Sequence, residues 1–356
     1  MDSRGFGPLD PENNLFKGNA RTVELRGHRK QCQGVAWSGD GRKLASTSYD
    51  TTVRIWHLES GSFNFKRNQE LVGHKEASIQ VAWDPTHHDK VASIGADGYV
   101  RVWDTRSGKC IQDLNLGNGC INLAYRPDGT HLAVGDSKDV ISFIDTRKFR
   151  TVESRQWKSE ANEFMWDRTG DLFLVVNGYG SVDVFAYPSL AQVDTVTAHT
   201  GSIYAIAGDK AGRHMAIGGN DGLVSIWDLS EMICLRTITE HEYNIRSIKI
   251  SPDGKYVASG AESFILVSEL ETAKPLYKLP GTQSLAWHPS ENLIAYAEYH
   301  DSDRSTPGHV AVFGFSGQPA PYESRPEPRA EPRFNFRMES NYPPRNHYMG
   351  YGRSYY

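Results

Sequence analysis

VAWDPTHHDKVASIGADGYVRVWD, residues 81–104, runs from an apolar pair and an aromatic through a Pro-containing turn to a strand of small residues, then to an alternating strand ending at Trp103-Asp104. Alternation with period two between turn residues specifies β-strands. Outward from this stretch the opening phrase appears seven times: VAWSGDG (35–41), VAWDPTH (81–87), LAYRPDG (123–129), FMWDRTG (164–170), IAGDKAG (206–212), IKISPDG (248–254) and LAWHPSE (285–291). A small-residue strand and an alternating strand follow each copy. The alternating strands end at Trp56, Trp103, Ile144, Phe185, Trp227, Ser268 and Phe313, which are spaced 47, 41, 41, 42, 41 and 45 residues apart.

That period matches a four-stranded propeller blade of about 40 to 45 residues, and the chain resembles a WD40 β-propeller. Gly27-His28 and Gly73-His74 carry the GH signature, with degenerate copies at Ala198-His199 and Glu240-His241, and WD endings stand at Trp103-Asp104 and Trp227-Asp228. The three blades that keep the Trp also keep an Asp six residues earlier (Asp50, Asp97, Asp221) and a His 28 or 29 residues earlier (His28, His74, His199). The resemblance implies that His, Asp and Trp form a buried hydrogen-bonded network in each of these blades, completed by Ser46 and Ser93 in the first two; the fifth has Ile217 at that position. RTVEL (21–25) reads as an outer strand lacking a blade, and it is placed in the last one, where it removes an open sheet edge. The expected architecture is all-β: one seven-bladed domain over 21–315, with 21–25 closing the last blade. Segments 1–20, rich in Gly, Asn and Pro, and 316–356, rich in Pro, Arg and Tyr, are expected to be disordered.

Composition narrows the function. The 356 residues include 39 Lys plus Arg against 43 Asp plus Glu, a formal charge of −4. That balance is too small for non-specific attraction to a polyanion to dominate. Hydrophobic residues at 38% and aromatics at 11% supply a sizeable core. Cys32, Cys110, Cys120 and Cys234 lie far apart with no CxxC pair, which speaks against a disulfide framework or zinc knuckle and for a reducing compartment. No secretory signal opens the sequence and no apolar run approaches membrane-spanning length, so an intracellular location is expected.

Catalytic chemistry finds little support. No phosphate-loop motif sits between a strand and a helix. Thr86-His87-His88-Asp89 could be taken for metal ligands but occupies a variable turn, and His300, Asp301 and Asp303 fall in the longest insertion of the last blade. His28, His74 and His199, each with an Asp downstream, recur blade by blade, whereas an active site is built once. No catalytic residue, metal or cofactor is expected. Partner contacts are. By the WD40 resemblance, Gln33, Ile79, Ile121, Asn162, Tyr204, Arg246 and Gln283 point into the top entrance, with Tyr49, Ala96 and Asn220 nearby. Tyr and Arg anchor interfaces, which singles out Tyr49, Tyr204 and Arg246. In the tail, Arg333, Phe334, Phe336, Arg337, Arg345, Tyr348 and Arg353 combine cations with stacking rings, a composition suited to weak RNA contact.

Beyond the general pattern, the sequence is similar to the THO complex subunit 3 family, mainly in the blades where WD40 signals fade. The third reads GCINLAYRPDGTHLAVGDSKDVISFIDTR (119–147) and the fourth EANEFMWDRTGDLFLVVNGYGSVDVFAYPSL (160–190). Similarity continues through LVSIWDLSEMICLRTI and LAWHPSENLIAYAEYHD, while the tail departs from the family. The resemblance implies a non-catalytic WD40 scaffold subunit of the nuclear THO/TREX complex, which couples transcription to mRNA packaging and export. Its partners would be the large helical scaffold subunits and, indirectly, a DEAD-box RNA helicase and an export adaptor, with no membrane. A second reading comes from Trp103-Asp104-Thr105-Arg106, which matches the WDxR pattern of substrate receptors in cullin-type ubiquitin ligases.

Overall fold

In the computed structural model, which describes residues 5–9, 20–59, 64–299 and 306–314, the described chain forms seven antiparallel sheets and no helix. Blade one shows the plan. The inner strand Cys32–Trp37, then Lys43–Ser48, Val53–Leu58 and the outer strand Phe65–Leu71 hydrogen-bond in chain order. Blades two to six occupy 78–115, 120–156, 161–197, 203–238 and 247–280, and blade seven begins at 282. Second strands are small-residue strands because both their faces are covered. Lys43–Ser48, Lys90–Gly95 and His131–Asp136 are buried at every position but the first, whereas the outer strand Arg150–Gln156 is exposed throughout. Core clusters sit between adjacent blades: Ala45, Val53, Ile55 and Leu71 of blade one pack with Val81, Trp83, Val91 and Trp103 of blade two.

Closure joins the two ends of the domain. Arg21–Arg26 pairs antiparallel with His309–Gly314, from Arg21 opposite Gly314 to Arg26 opposite His309. This gives blade seven its fourth, outer strand, covers the edge that His309–Gly314 would otherwise expose, and ties the two ends of the domain together. At the same seam, on the face where first and second strands turn, the buried His288 ring meets Trp37 edge-on at 4.8 Å, and its Nε2 lies 3.0 Å from the Gly41 carbonyl. Gly41 has φ of 71°, and a side chain there would strike His288.

Side chains near the central channel tie inner strands to their neighbours. Thr47 Oγ1 donates to the Ile79 carbonyl at 3.0 Å, Leu123 N–H to Gln80 Oε1 at 2.6 Å, and Asn162 Nδ2 to the Ile203 carbonyl at 2.8 Å. Asn122 Nδ2 reaches the Asn162 carbonyl, and Leu285 and Val35 N–H donate to Ser247 and Ser284 hydroxyls at 3.3 Å each. Between blades five and six this position is Ala205, and there Ile245 and Ile248 press against Gly218 instead. These bonds join polar groups of adjacent blades, so the belt ties each of those blades to its neighbour.

Within residues 1–20, which carry no strand signal in the sequence, Gly7–Pro8 forms a two-residue strand on the outer edge of blade six. Gly7 lies opposite Lys278 and Pro8 opposite Tyr277. Leu9 N–H then donates to the Leu276 carbonyl at 2.9 Å, and the Leu9 side chain packs on the core of blades five and six. Proline is tolerated because the strand is an edge and needs no inward donor at that residue. The tail 316–356 and the insertion residues His300, Asp301 and Asp303 lie outside the described residues.

Candidate protein-interaction face

The polar sets singled out by their recurrence occupy the blade interiors. In blade one, Trp56 Nε1 donates to Ser46 Oγ at 2.9 Å, Ser46 Oγ lies 2.8 Å from His28 Nε2, and His28 Nδ1 lies 3.0 Å from Asp50 Oδ2. All are satisfied when Trp donates to Ser, Ser to His, and His to a charged Asp. Blade two repeats the chain through Trp103, Ser93, His74 and Asp97 at 2.8, 2.8 and 2.9 Å, with Arg101 closing on Asp97 at 2.9 Å. In blade five the hydroxyl comes from another strand. Ser225 Oγ stands 2.8 Å from both Trp227 Nε1 and His199 Nε2, and His199 Nδ1 lies 2.9 Å from Asp221, while Ile217 packs in the apolar core. Ser225 sits two residues before Trp227, in the same strand, so the sequence signal for it is local.

The environments of His28 and His74 favour the neutral imidazole. Burial lowers the His28 and His74 pKa values and outweighs the opposing pull of Asp50 and Asp97. Burial alone would raise Asp50, but hydrogen bonds from His28 and Thr52 hold it well below the usual carboxylate range. Blade six keeps only part of the set. His241 Nε2 lies 2.8 Å from Ser259 Oγ, its ring stacks on Phe264 at 4.5 Å, and Glu262 and Ser268 stand where other blades have Asp and Trp. Burial, then the Lys278 charge, lowers His241 to about 4.

The top face, where inner strands begin, is assembled by backbone bonds between its loops. Tyr49, Ala96 and Asn220 N–H groups donate to the carbonyls of Gln31, Ala77 and Ser202 at 3.1, 2.9 and 2.8 Å. Of the residues placed there by resemblance, Ile121 is 37% exposed, and Gln33, Tyr49, Ile79, Tyr204 and Gln283 are half-buried. Asn162 is committed to the inter-blade belt. Arg246 is exposed, donates to Glu262 at 3.0 Å, and lies 5.8 Å from the Tyr204 ring. The most exposed aromatics on this rim are two that sequence reasoning missed: Tyr179, 76% exposed, and Tyr243, 57%. Tyr179 lies six residues before the strand-end Phe185, where blades one, two and five place their network Asp. Blade four carries Phe185 in its third strand in place of Trp, so no Asp is needed there and the position is released to the surface. The rim of blades four to six thus carries the exposed Tyr179 and Tyr243 and the Tyr204–Arg246 pair, the residue types that dominate binding hot spots.

Other motifs resolve locally. Arg106 is 74% exposed, with Nε 3.5 and 3.6 Å from Asp89 and Asp104. His87 and Thr86 bond within their own turn to Asp84. Among the described residues no three His, Cys, Asp or Glu side chains converge as metal ligands. The tail residues Arg333, Phe334, Phe336, Arg337, Arg345, Tyr348 and Arg353 lie outside the described residues.

Comparison with known proteins adds a lineage to this geometry. The family described as THOC3 beta-propeller domain matches residues 28–297. THO complex subunit 3 of Arabidopsis thaliana is 42% identical over 298 residues, covering 82% of this chain and 95% of that protein. WD repeat-containing protein AAC3 of Dictyostelium discoideum is 30% identical over 320 residues, 83% of this chain and 67% of that one. Pre-mRNA-processing factor 19 homolog 2 of Arabidopsis thaliana is 24% identical over 302 residues, 82% and 48% of the respective chains.

Proposed function

The chain belongs to the THO complex subunit 3 family of β-propellers, and on that premise we propose that it is a non-catalytic scaffold subunit of the nuclear THO assembly, acting within TREX to couple transcription to mRNA packaging and export. The observation that carries this reading is the extent of the likeness: the matched span runs from His28 in blade one to Ala297 in blade seven. The propeller docks on the large helical scaffold subunits through the rim of blades four to six. A DEAD-box RNA helicase and an export adaptor, reached indirectly, supply the chemistry and the hand-over. The near-neutral charge supports protein partners as the main source of affinity, since phosphate-dominated binding needs a basic surface. Weak RNA contact through the tail is an accessory.

Mild affinity purification of the full chain from nuclease-treated nuclear extract tests the assignment. Recovery of the large THO subunits despite nuclease is expected. Their absence, with a cullin adaptor recovered in their place and lost on charge reversal at Arg106, would replace this reading with that of a ubiquitin-ligase receptor.

A further inference from the structure

Because each blade repeats the last, one groove between blades serves as a control for the next. In the bottom groove between blades one and two, Asp89 is the shared anion: its carboxylate binds Lys43 Nζ, which also donates to Thr105 Oγ1 at 2.9 Å, and lies 3.5 Å from Arg106 Nε. The groove between blades two and three has the same frame. Thr105 N–H and Oγ1 donate to the Asp89 carbonyl at 2.8 and 3.1 Å, and Thr146 N–H and Oγ1 donate to the Thr130 carbonyl at 3.1 and 3.0 Å. Thr130 therefore stands where Asp89 stood, Lys90 where Lys43 stood and Arg147 where Arg106 stood. The carboxylate is missing. Among the described residues, neither the Lys90 ammonium nor the Arg147 guanidinium has an anionic or hydrogen-bonding partner.

The carboxylates already present do not fill the gap. Asp84 accepts from Thr86 N–H and Oγ1 at 2.8 and 2.7 Å, and Asp128 accepts from Thr130 N–H and Oγ1 at 3.0 and 2.7 Å and from Arg126. Between the two cations the surface opens into a cleft of about 470 Å³, walled by Val102, the exposed Ile111 and Phe149.

We propose that this cleft binds a partner-protein segment that places an Asp or Glu side chain between Lys90 and Arg147, in the position Asp89 holds one groove earlier, and lays a neighbouring apolar side chain against Ile111 and Phe149. A protein carboxylate fits better than a nucleic-acid backbone, because Asp84 and Asp128 on the same rim repel a polyanion and the wall is apolar. The vacancy belongs to the repeat itself and does not depend on which assembly the chain joins.

The test uses the full chain and an array of 12-residue peptides carrying Asp or Glu beside Leu or Phe, each paired with its Asn or Gln counterpart, plus a single-stranded RNA 12-mer. Acidic peptides are expected to bind at least tenfold more tightly than their amide counterparts. Thr130→Asp supplies the missing carboxylate internally and should abolish that difference, while Thr130→Val, which changes shape without charge, should preserve it. The double variant Lys90→Gln/Arg147→Gln should weaken acidic-peptide binding at least tenfold with an unchanged melting temperature. Equal binding of acid and amide peptides, indifference to Thr130→Asp, or preference for the RNA overturns the proposal.

Discussion

At the scale of single residues, a blade is held by a hydroxyl whose strand of origin varies. Ser46 and Ser93 come from second strands, whereas Ser225 comes from the third strand of its blade and reaches the same point between His and Trp. Repeat alignment alone put Ile217 at that site and missed Ser225, because two strands can deliver a hydroxyl to one interior point. Ser225→Ala removes the partner of both His199 and Trp227, leaving two buried polar atoms unpaired. The expected loss is about 2–4 kcal/mol of unfolding free energy by denaturant titration, against about 0.5–1.5 kcal/mol for Ile217→Val. Acid should act through the neighbouring blade. His241 has its folded pKa lowered to about 4 from 6.5. The unfolded chain therefore binds more protons between those values, and stability is full above pH 6.5 and falls as pH drops toward 4. The shift corresponds to on the order of 3 kcal/mol. Melting temperature should decline across that window, and His241→Gln should make the decline shallower; an unchanged slope would remove His241 from the account.

At the scale of strands and seams, the legible and the illegible separate by how many residues carry the signal. A turn phrase, a small-residue strand and an alternating strand recurring in every blade made the repeat readable, and the orphan strand Arg21–Arg26 was readable because RTVEL precedes Gly27-His28 as QELV and DTVT precede His74 and His199. The edge strand Gly7–Pro8 was not, since two residues carry no period and their pairing is set by the exposed edge of blade six. Tyr179 was hidden differently: its position is regular, but its meaning depends on blade four having Phe185 where the network blades have Trp. The closing seam yields a controlled test of local fit. Gly41→Ala adds a methyl against the buried His288 and also strains a backbone with φ of 71°. Gly117→Ala strains a backbone with φ of 94° but meets nothing within 4 Å. Left-handed backbone alone is worth about 1–2 kcal/mol, so Gly117→Ala should lose about that much and Gly41→Ala clearly more, read from paired denaturant curves. Equal losses would mean that His288 swings away freely and does not anchor the seam.

At the scale of the whole molecule, the seven blades are tied to one another through their interiors, and the proposed docking surface draws on other residues. Stability lies in the inter-blade cores and the belt around the channel; the docking surface proposed above lies on rim residues that contribute little to either. Tyr179 and Tyr243 are mostly exposed, and the Arg246–Glu262 pair is half-exposed, where ion pairs are worth about 0–1 kcal/mol. Replacing them should leave folding almost untouched, since surface changes away from special features fall within about ±0.5 kcal/mol. The same side chains are of the types that carry about 2 kcal/mol or more each when buried at an interface. The triple variant Tyr179→Ala/Tyr243→Ala/Arg246→Glu should therefore keep its melting temperature within about 2 °C while reducing recovery of the large helical THO subunits at least tenfold. Unchanged recovery would move the docking surface off the rim of blades four to six. A fall in melting temperature alongside the loss would show that this rim contributes to holding the disc together, and the separation between core and face would not stand.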